Sequence, residues 1–115
     1  MLFILISGQN SFAQLSGTVT VGAGGAYTNF TGATGLFNAI NTLGLSGDLT
    51  VAVVGNSTED GTTALNAISS GFGVYIIPAF ASTFTISGTG ITTNAMIRFN
   101  GVRKVYVEGS FLGSG

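Results

Sequence analysis

Three of the few charged side chains, Arg98, Arg103 and Lys104, lie close together in the sequence and near Glu108. An arginine guanidinium forms paired hydrogen bonds with a carboxylate, so a basic group of this kind suits an anionic sugar ligand. Charges beside neighbouring strands also serve solubility and cross-strand pairing, which is the competing interpretation. The three cations are therefore candidates for ligand binding.

A second candidate is the acidic pair Glu59 and Asp60, which precedes Gly61 in a segment rich in Asn, Ser and Thr. Calcium takes six to eight oxygen ligands, and two carboxylates supply only some of them. The spaced aspartates of a calcium-binding loop are not found here. We expect residues 56–63 to form a polar, solvated turn, with Glu59 and Asp60 as the candidate metal ligands.

The three tyrosines, Tyr27, Tyr75 and Tyr106, are candidates for a surface that stacks on sugar rings. Alternation along a strand directs Tyr106 outward when Val105 and Val107 point inward. The position of Tyr75 is less defined because two adjacent isoleucines follow it. An exposed tyrosine is also simply a residue that favours strands, so a structural role is the alternative.

Several kinds of chemistry are excluded within this chain. It has no cysteine and no histidine, so it contains no disulfide, no thiolate metal site and no Ser–His–Asp or Cys–His catalytic group. A glycosidase needs two carboxylates at a controlled distance, and the sequence does not pair Asp48 with Glu108. The net charge of −1 gives no basis for binding nucleic acid or an anionic membrane. We predict no cofactor.

The elements that position these residues share a repeated phrase, apolar–x–apolar–x–Gly, which ends at Gly55, Gly88, Gly101 and Gly109. Gly88 and Gly109 are 21 residues apart, about the length of one coil in a stacked solenoid of short strands. The phrases ending at Gly88, Gly101 and Gly109 are then successive faces of a coil. Only 6% of the residues are charged, so Thr, Ser, Asn and Gly must form the polar surface.

The hydrophobic pattern predicts one helix among several strands. Residues 34–43 place their apolar side chains on one helical stripe, with Thr34 as N-cap and Gly44 as C-cap. We predict strands at residues 18–21 and 48–54, the latter with Leu49, Val51 and Val53 inside. Glycines 22, 24 and 25 predict a turn, and residues 62–70 are a short helix or an irregular connection. Further strands are predicted at residues 74–77, 83–86, 95–99 and 104–108.

The first residues predict export. An apolar run, residues 1–6, is followed by polar residues and by Ser11-Phe12-Ala13, a small–x–small pattern suited to signal peptidase cleavage after Ala13. The run is too short to span a bilayer, which takes about 20 residues. We expect residues 1–13 to be a truncated signal peptide, and a buried N-terminal strand is the alternative. A secreted or cell-surface location follows from the first of these.

The predicted fold is all-β, a right-handed parallel β-helix (solenoid) start with one N-terminal capping α-helix. Residues 14–48 are the N-terminal strand and capping helix, and residues 49–115 are the first coils, truncated at the C-terminus. The capping helix would shield the first coil, whose open backbone otherwise invites edge-to-edge association. A β-sandwich uses similar short strands and is the alternative, and Asn100-Gly101, a typical hairpin dipeptide, supports it.

Four segments carry a resemblance to a known group of proteins: residues 21–30, 36–41, 44–51 and 97–109. Together they resemble the start of large secreted Bacteroidetes surface proteins with right-handed parallel β-helix (pectin-lyase-like) regions. Those proteins often carry a C-terminal sorting domain for type IX secretion. Their coils typically close with Ile-Asp-Gly, and Glu108 stands here in place of the Asp. The resemblance covers most of residues 17–109 and implies an N-terminal fragment.

The expected function is structural or adhesive. The chain would be the N-terminal part of a secreted or cell-surface β-helix protein that contacts polysaccharide or cell-surface glycan, without binding nucleic acid or spanning a membrane. Further coils of the same protein would be its other partner. Two alternatives remain: a segment of a polysaccharide-degrading enzyme with its catalytic residues beyond residue 115, and a small carbohydrate-binding β-sandwich.

Overall fold

A computed structural model describes residues 13–90 and 95–109 of the chain. This part consists mainly of short strands with one helix. In chain order the elements are β1 (Leu15–Val21), α1 (Leu36–Leu43), β2 (Leu45–Val53), β3 (Ser57–Glu59), β4 (Leu65–Asn66), β5 (Val74–Pro78), β6 (Ile86–Gly88), β7 (Phe99–Asn100) and β8 (Val105–Val107). The first twelve residues, most of the predicted signal peptide, lie outside the described part.

The strands form three sheets in which every described ladder is parallel. The largest has the order β1-β2-β5-β8, and two small sheets pair β3 with β6 and β4 with β7. Paired residues lie 25 to 34 positions apart in the sequence. Parallel pairing contradicts the β-sandwich alternative, because a sandwich is built from antiparallel sheets.

The core lies on the inner face of the four-stranded sheet. Leu49, Val51 and Val53 are buried as predicted, because alternate side chains of β2 point to the same side. Val74 and Ile76 of β5 continue this face, since they pair in register with Leu49 and Val51. The residues between them face outward.

The predicted helix is present, but it begins at Leu36 and its N-cap is Gly35, which has no side-chain capping bond. The predicted N-cap role of Thr34 is therefore wrong. Gly44 is the C-cap as expected, with its N–H bonded to the carbonyl of Ile40 and a φ of 77° that favours glycine. The apolar stripe is buried, and Phe37 packs on Phe30 with ring centroids 5.6 Å apart.

The turn after β1 brings two backbones into direct contact. The N–H of Ala23 donates to the carbonyl of Asn56 at 2.9 Å. In the other direction, the N–H of Val54 donates to the carbonyl of Val21, also at 2.9 Å. Gly22 has a φ of 111°, and a Cβ there would overlap the backbone of Gly55. The predicted turn at residues 22–25 is confirmed, and this contact requires glycine at its centre.

Three expectations about the strands need correction. Residues 56–63 are not simply a solvated turn, because they contain β3 with Ser57 and Glu59 buried. Residues 62–70 contain β4, and β6 and β7 begin three and four residues later than expected. The strands at residues 74–77 and 104–108 are confirmed as β5 and β8.

The 21-residue coil is also wrong. Gly88 ends β6 in one sheet and Gly109 follows β8 in another, so the two glycines are not equivalent positions. The phrases ending at Gly88, Gly101 and Gly109 do lie in three different sheets. The mainly-β class with one helix is confirmed, whereas the sheets are small and do not close into a solenoid. The predicted boundary between residues 48 and 49 falls inside β2.

Candidate functional site

The outer face of the four-stranded sheet carries a row of residues that we call the tyrosine row: Thr18, Thr50, Tyr75 and Tyr106. They stand side by side because each pairs in register with the next across β1, β2, β5 and β8. Tyr106 is 49% exposed, which agrees with the outward position predicted for it. Tyr27 forms a bridge with Val21 and is not part of this row.

The two tyrosine rings of the row stack on one another. Their centroids are 4.9 Å apart and their planes differ by 8°. This separation matches the spacing of neighbouring strands, so the sheet itself sets the stack. The stack covers one face of each ring. Tyr106 is exposed, whereas the hydroxyl and one ring edge of Tyr75 lie against Gly73. An amphipathic surface of this kind suits a sugar, which has both apolar and hydroxyl-bearing faces.

Asp48 provides negative charge beside the row. Its Oδ1 accepts a hydrogen bond of 2.9 Å from the N–H of Gly73, just before β5. Burial raises the pKa of the Tyr75 hydroxyl above 10.0, and the charges of Asp48 and Tyr106 raise it further. Tyr75 therefore stays a neutral hydrogen-bond donor throughout the physiological pH range.

Lys104 and Glu108 flank Tyr106 in the sequence, two residues to either side. The alternation of a strand places all three on the outer face. The carbonyl of Lys104 accepts from the N–H of Val74 at 2.8 Å, and the N–H of Glu108 donates to Ile76 at 2.9 Å. The backbone on both sides of Tyr106 is thus held to β5. The row consequently has a cation at one end of β8 and an anion at the other.

Arg103 lies beside a pocket of about 170 Å³ that Lys104 also lines. The other walls are mostly apolar and include Ile68, Phe72 and Val102. Both cations are exposed, and within residues 13–90 and 95–109 neither side chain is bonded to another residue. The structure thus places two of the three predicted cations at this pocket.

Arg98 has a different environment. Its Nη2 donates to the carbonyls of Gly61 and Thr62 at 2.8 and 3.1 Å. It precedes β7, which belongs to a different sheet from β8. Its Nε is buried and has no partner among the described residues. Arg98 therefore joins the segment before β7 to the turn at Gly61 and Thr62. Arg103 and Lys104 differ from it, because their side chains have no partner among the described residues.

Glu59 is fully buried, which corrects the expectation of a solvated turn. Its oxygens accept hydrogen bonds from the N–H groups of Phe30 and Thr31 and from the Thr31 hydroxyl, at 2.7 to 3.1 Å. These donors present partial positive charge to the carboxylate, and a metal ion would have to displace them. Sequence reasoning missed this role, although Ser57-Thr58-Glu59 does alternate as a strand with one face buried.

Asp60 does not share the environment of Glu59. It is half-buried, and its Oδ1 accepts a hydrogen bond of 2.9 Å from the N–H of Thr62. That backbone bond, helped by the Thr62 hydroxyl, lowers the pKa of Asp60 below 3.8. Across residues 13–90 and 95–109, no three acidic side chains lie close enough to share a metal ion.

The two remaining carboxylates are far apart, because Asp48 lies within β2 and Glu108 directly follows β8. Asp48 is aligned with Gly73, and Glu108 follows the pairing of Ile76 with Val107. Four residues along the strand and two strand spacings across it separate their backbones by roughly 16 Å. A glycosidase pair requires carboxyl groups about 5 to 9.5 Å apart. These two do not form such a pair.

Comparisons with known proteins identify no relative. No family model, no curated protein and no solved structure matches this chain. In the part of the chain that the structure describes, no helix has the length and apolar character needed to cross a bilayer.

Proposed function

We propose that this chain forms the cap and opening coils of a right-handed parallel β-helix. The order in which the strands join their sheets supports this proposal. After the helix, the chain visits the three sheets in turn as β2, β3 and β4, and then again as β5, β6 and β7, before β8 returns to the first sheet. Parallel strands joined by crossovers have a strong right-handed preference, which supports the handedness.

The helix is well placed to act as the cap of such a stack. It packs between β1 and β4 and contributes Leu36, Phe37 and Ile40 to the core. Asn41 on its outer side accepts a hydrogen bond from the N–H of Asn66 and donates to the carbonyl of Ala64. These contacts fasten the helix to the turn that leads through β4.

We further propose that the protein is exported and has a structural or adhesive role at the cell surface, in which the tyrosine row contacts a glycan. The observation that carries this proposal is the Tyr75–Tyr106 stack, in which Tyr106 is exposed, with the exposed Lys104 two residues away on the same strand face. Aromatic surface with adjacent hydroxyl and cationic groups suits a sugar chain that carries some negative charge. The predicted cleavage site after Ala13 supports export.

Affinity electrophoresis of the protein in gels containing neutral or acidic polysaccharides tests the glycan contact. We expect retardation by at least one acidic polysaccharide, weakened about tenfold in Tyr106→Ala and retained in Tyr106→Phe. Tyr27→Ala is the matched control, because Tyr27 lies outside the row. No retardation by any polysaccharide, or equal retardation of all variants, contradicts a glycan contact here. Turnover of a polysaccharide would instead indicate an enzyme.

Amino-terminal sequencing of the protein recovered from the cell surface or medium tests export. We expect a mature chain beginning at Gln14. Recovery of residues 1–13 on protein retained inside the cell contradicts the export proposal and leaves the glycan experiment unaffected.

A further inference from the structure

The one Asn-Gly pair of the sequence, Asn100-Gly101, lies at the end of β7 and takes no part in the tyrosine row. Asparagine followed by glycine is chemically labile, because glycine has no side chain to keep its backbone nitrogen away from the asparagine amide carbon. Gly101 has a φ of 83°, and a Cβ there would meet only Ala67, at an ordinary contact distance of 3.6 Å. The pair therefore carries both groups of an intramolecular reaction in an uncrowded place.

We propose that Asn100 is a site of spontaneous deamidation and that Asn66 controls its rate. The backbone nitrogen of Gly101 attacks Cγ of Asn100 and forms a new N–C bond. The bond from Cγ to Nδ2 breaks, and ammonia leaves with the proton of the attacking nitrogen. Water then opens the resulting cyclic succinimide at either carbonyl, which gives aspartate or isoaspartate at position 100. Water is the only co-reactant.

Asn66 restrains both groups that must react. Nδ2 of Asn100, the nitrogen that leaves, donates a hydrogen bond of 3.1 Å to Oδ1 of Asn66. Gly101 lies opposite Asn66 in an isolated bridge. Asn66 is itself held in place, because its N–H donates to Oδ1 of Asn41 at 3.0 Å. The reaction therefore proceeds from molecules in which the Asn100–Asn66 bond has opened, so the folded protein deamidates slowly.

The Asp60-Gly61 pair offers a comparison within the same chain, since aspartate before glycine can close the same ring. Here the N–H of Gly61 donates to the buried Thr31 hydroxyl at 3.1 Å. The hydrogen bond from the N–H of Thr62 lowers the pKa of Asp60, so its carboxyl group is ionised and resists attack by nitrogen. We expect ring closure at residue 100 and none at residue 60.

Deamidation should weaken the contact of β7 with the rest of the fold. The new carboxylate has no proton to donate to Asn66, and isoaspartate also lengthens the backbone of a strand that pairs with β4 through only two residues. Phe99 of this strand packs on Phe37 of α1, with ring centroids 6.1 Å apart. The inference concerns the stability of this region and does not depend on the proposed glycan contact.

Peptide mapping by mass spectrometry, after incubation of the full chain in mildly alkaline buffer, tests the role of Asn66. We expect Asn66→Ala to speed deamidation of Asn100 about five- to tenfold, because one restraining hydrogen bond is lost. Asn66→Asp keeps the acceptor oxygen and should keep the slow rate. Asn56→Ala is the matched control, because it removes a hydrogen bond to the N–H of Thr85 in another sheet region. An unchanged rate in Asn66→Ala, or equal acceleration in Asn56→Ala, overturns the proposal.

The same measurement in concentrated urea keeps the proposal testable if a variant folds poorly. The original chain should deamidate faster in urea than when folded, and Asn66→Ala should then match it, because the restraint exists only in the fold. Gly101→Ala should be slower than both in urea, since its methyl group hinders the attacking nitrogen. A folded chain that deamidates as fast as the unfolded one shows that Asn66 exerts no control. Modification at residue 60 but not at residue 100 also contradicts the proposal.

Discussion

Thr31 donates both its backbone N–H and its hydroxyl to Oε1 of Glu59, at 2.8 and 2.7 Å. Both residues are fully buried. The Thr31 hydroxyl in turn accepts from the N–H of Gly61 at 3.1 Å. No cationic side chain of the described residues pairs with this carboxylate, so backbone and hydroxyl dipoles alone solvate it. The bonds join the segment before α1 to β3, although 28 residues separate the two in the chain.

Replacing Glu59 with Gln should destabilise the fold. An amide oxygen accepts weaker hydrogen bonds than a carboxylate, and the new NH₂ group faces donors rather than acceptors. Hydrogen bonds to a charged group contribute about 1.5–3 kcal/mol, so we expect the free energy of unfolding to fall by about 2 kcal/mol. Urea unfolding should show a lower midpoint with an unchanged slope. Glu108→Gln, at an exposed carboxylate, should leave the midpoint unchanged, and equal midpoints for both variants contradict the argument.

Alanine at Gly22 and at Gly24 separates backbone contact from backbone conformation. Both residues have a positive φ, but a Cβ at Gly22 overlaps the backbone of Gly55 whereas one at Gly24 meets nothing within 4 Å. Gly24→Ala should cost about 1 kcal/mol, from conformation alone. Gly22→Ala should cost clearly more, because β1 and the turn after β2 must separate. Thermal unfolding measures both, and similar losses would show that the contact at Gly22 relaxes freely.

Asn41 and Asn38 lie on the same helix and differ in their contacts. Asn41 bonds to Ala64 and Asn66, and Asn38 is exposed. Both gain helix propensity when changed to Ala. We expect Asn38→Ala to stabilise the protein slightly and Asn41→Ala to destabilise it by about 1 kcal/mol, because two backbone groups lose their partner. Urea unfolding checks the opposite signs, and a stabilised Asn41→Ala would contradict the proposed fastening of the helix.

Methionine at Arg98 and at Arg103 distinguishes a structural arginine from a free one. Arg98→Met removes the donor to two carbonyls and should lower the free energy of unfolding by about 1–2 kcal/mol, allowing for its partial exposure. Arg103→Met should leave stability unchanged and weaken retardation by acidic polysaccharides. A loss of stability in Arg103→Met, together with weaker retardation in Arg98→Met, would contradict the environments described for these two residues.

Tyr75 should make stability fall at alkaline pH. Its pKa in the folded protein is raised above 10.0 by burial, with help from Asp48 and Tyr106. Above pH 10 the unfolded chain therefore loses this proton before the folded chain does, and linkage then requires stability to decrease as pH rises. Below pH 10 the residue contributes no pH dependence. Between a pH below 10 and a pH above 10, the urea midpoint should decrease less in Tyr75→Phe than in the original protein. An equal decrease in both proteins contradicts the raised pKa of Tyr75.

Local pattern was sufficient for some features of the fold. The alternation of Leu49, Val51 and Val53 predicts a buried face because side-chain direction in a strand repeats every two residues. The glycine after α1 predicts its C-cap from backbone conformation alone. Tyr106 faces outward for the same reason that its neighbouring valines face inward. In each case the cause lies within a few residues of the effect.

Other features depend on residues far away in the sequence, so the local sequence pattern could not predict them. The burial of Glu59 depends on hydrogen-bond donors at Phe30 and Thr31, which are distant in the sequence. The polar residues around Glu59 also give β3 no apolar pattern by which it could be predicted. The spacing of Gly88 and Gly109 does not measure a coil, because similar phrases end strands in different sheets. Arg98 and Arg103 appear as one cluster in the sequence, but β7 lies between them and belongs to a separate sheet from β8.

The parallel register also has a consequence for how the chain folds. Every described ladder is parallel, and even the consecutive strands β1 and β2 are joined through α1, so no described sheet can start from a tight hairpin. Each ladder must instead close a loop of 25 residues or more before its first hydrogen bonds form. The entropy of that closure precedes any gain from pairing, and folding rates fall as contacts become less local. We therefore expect slow folding, during which unpaired strand edges stay open to other chains.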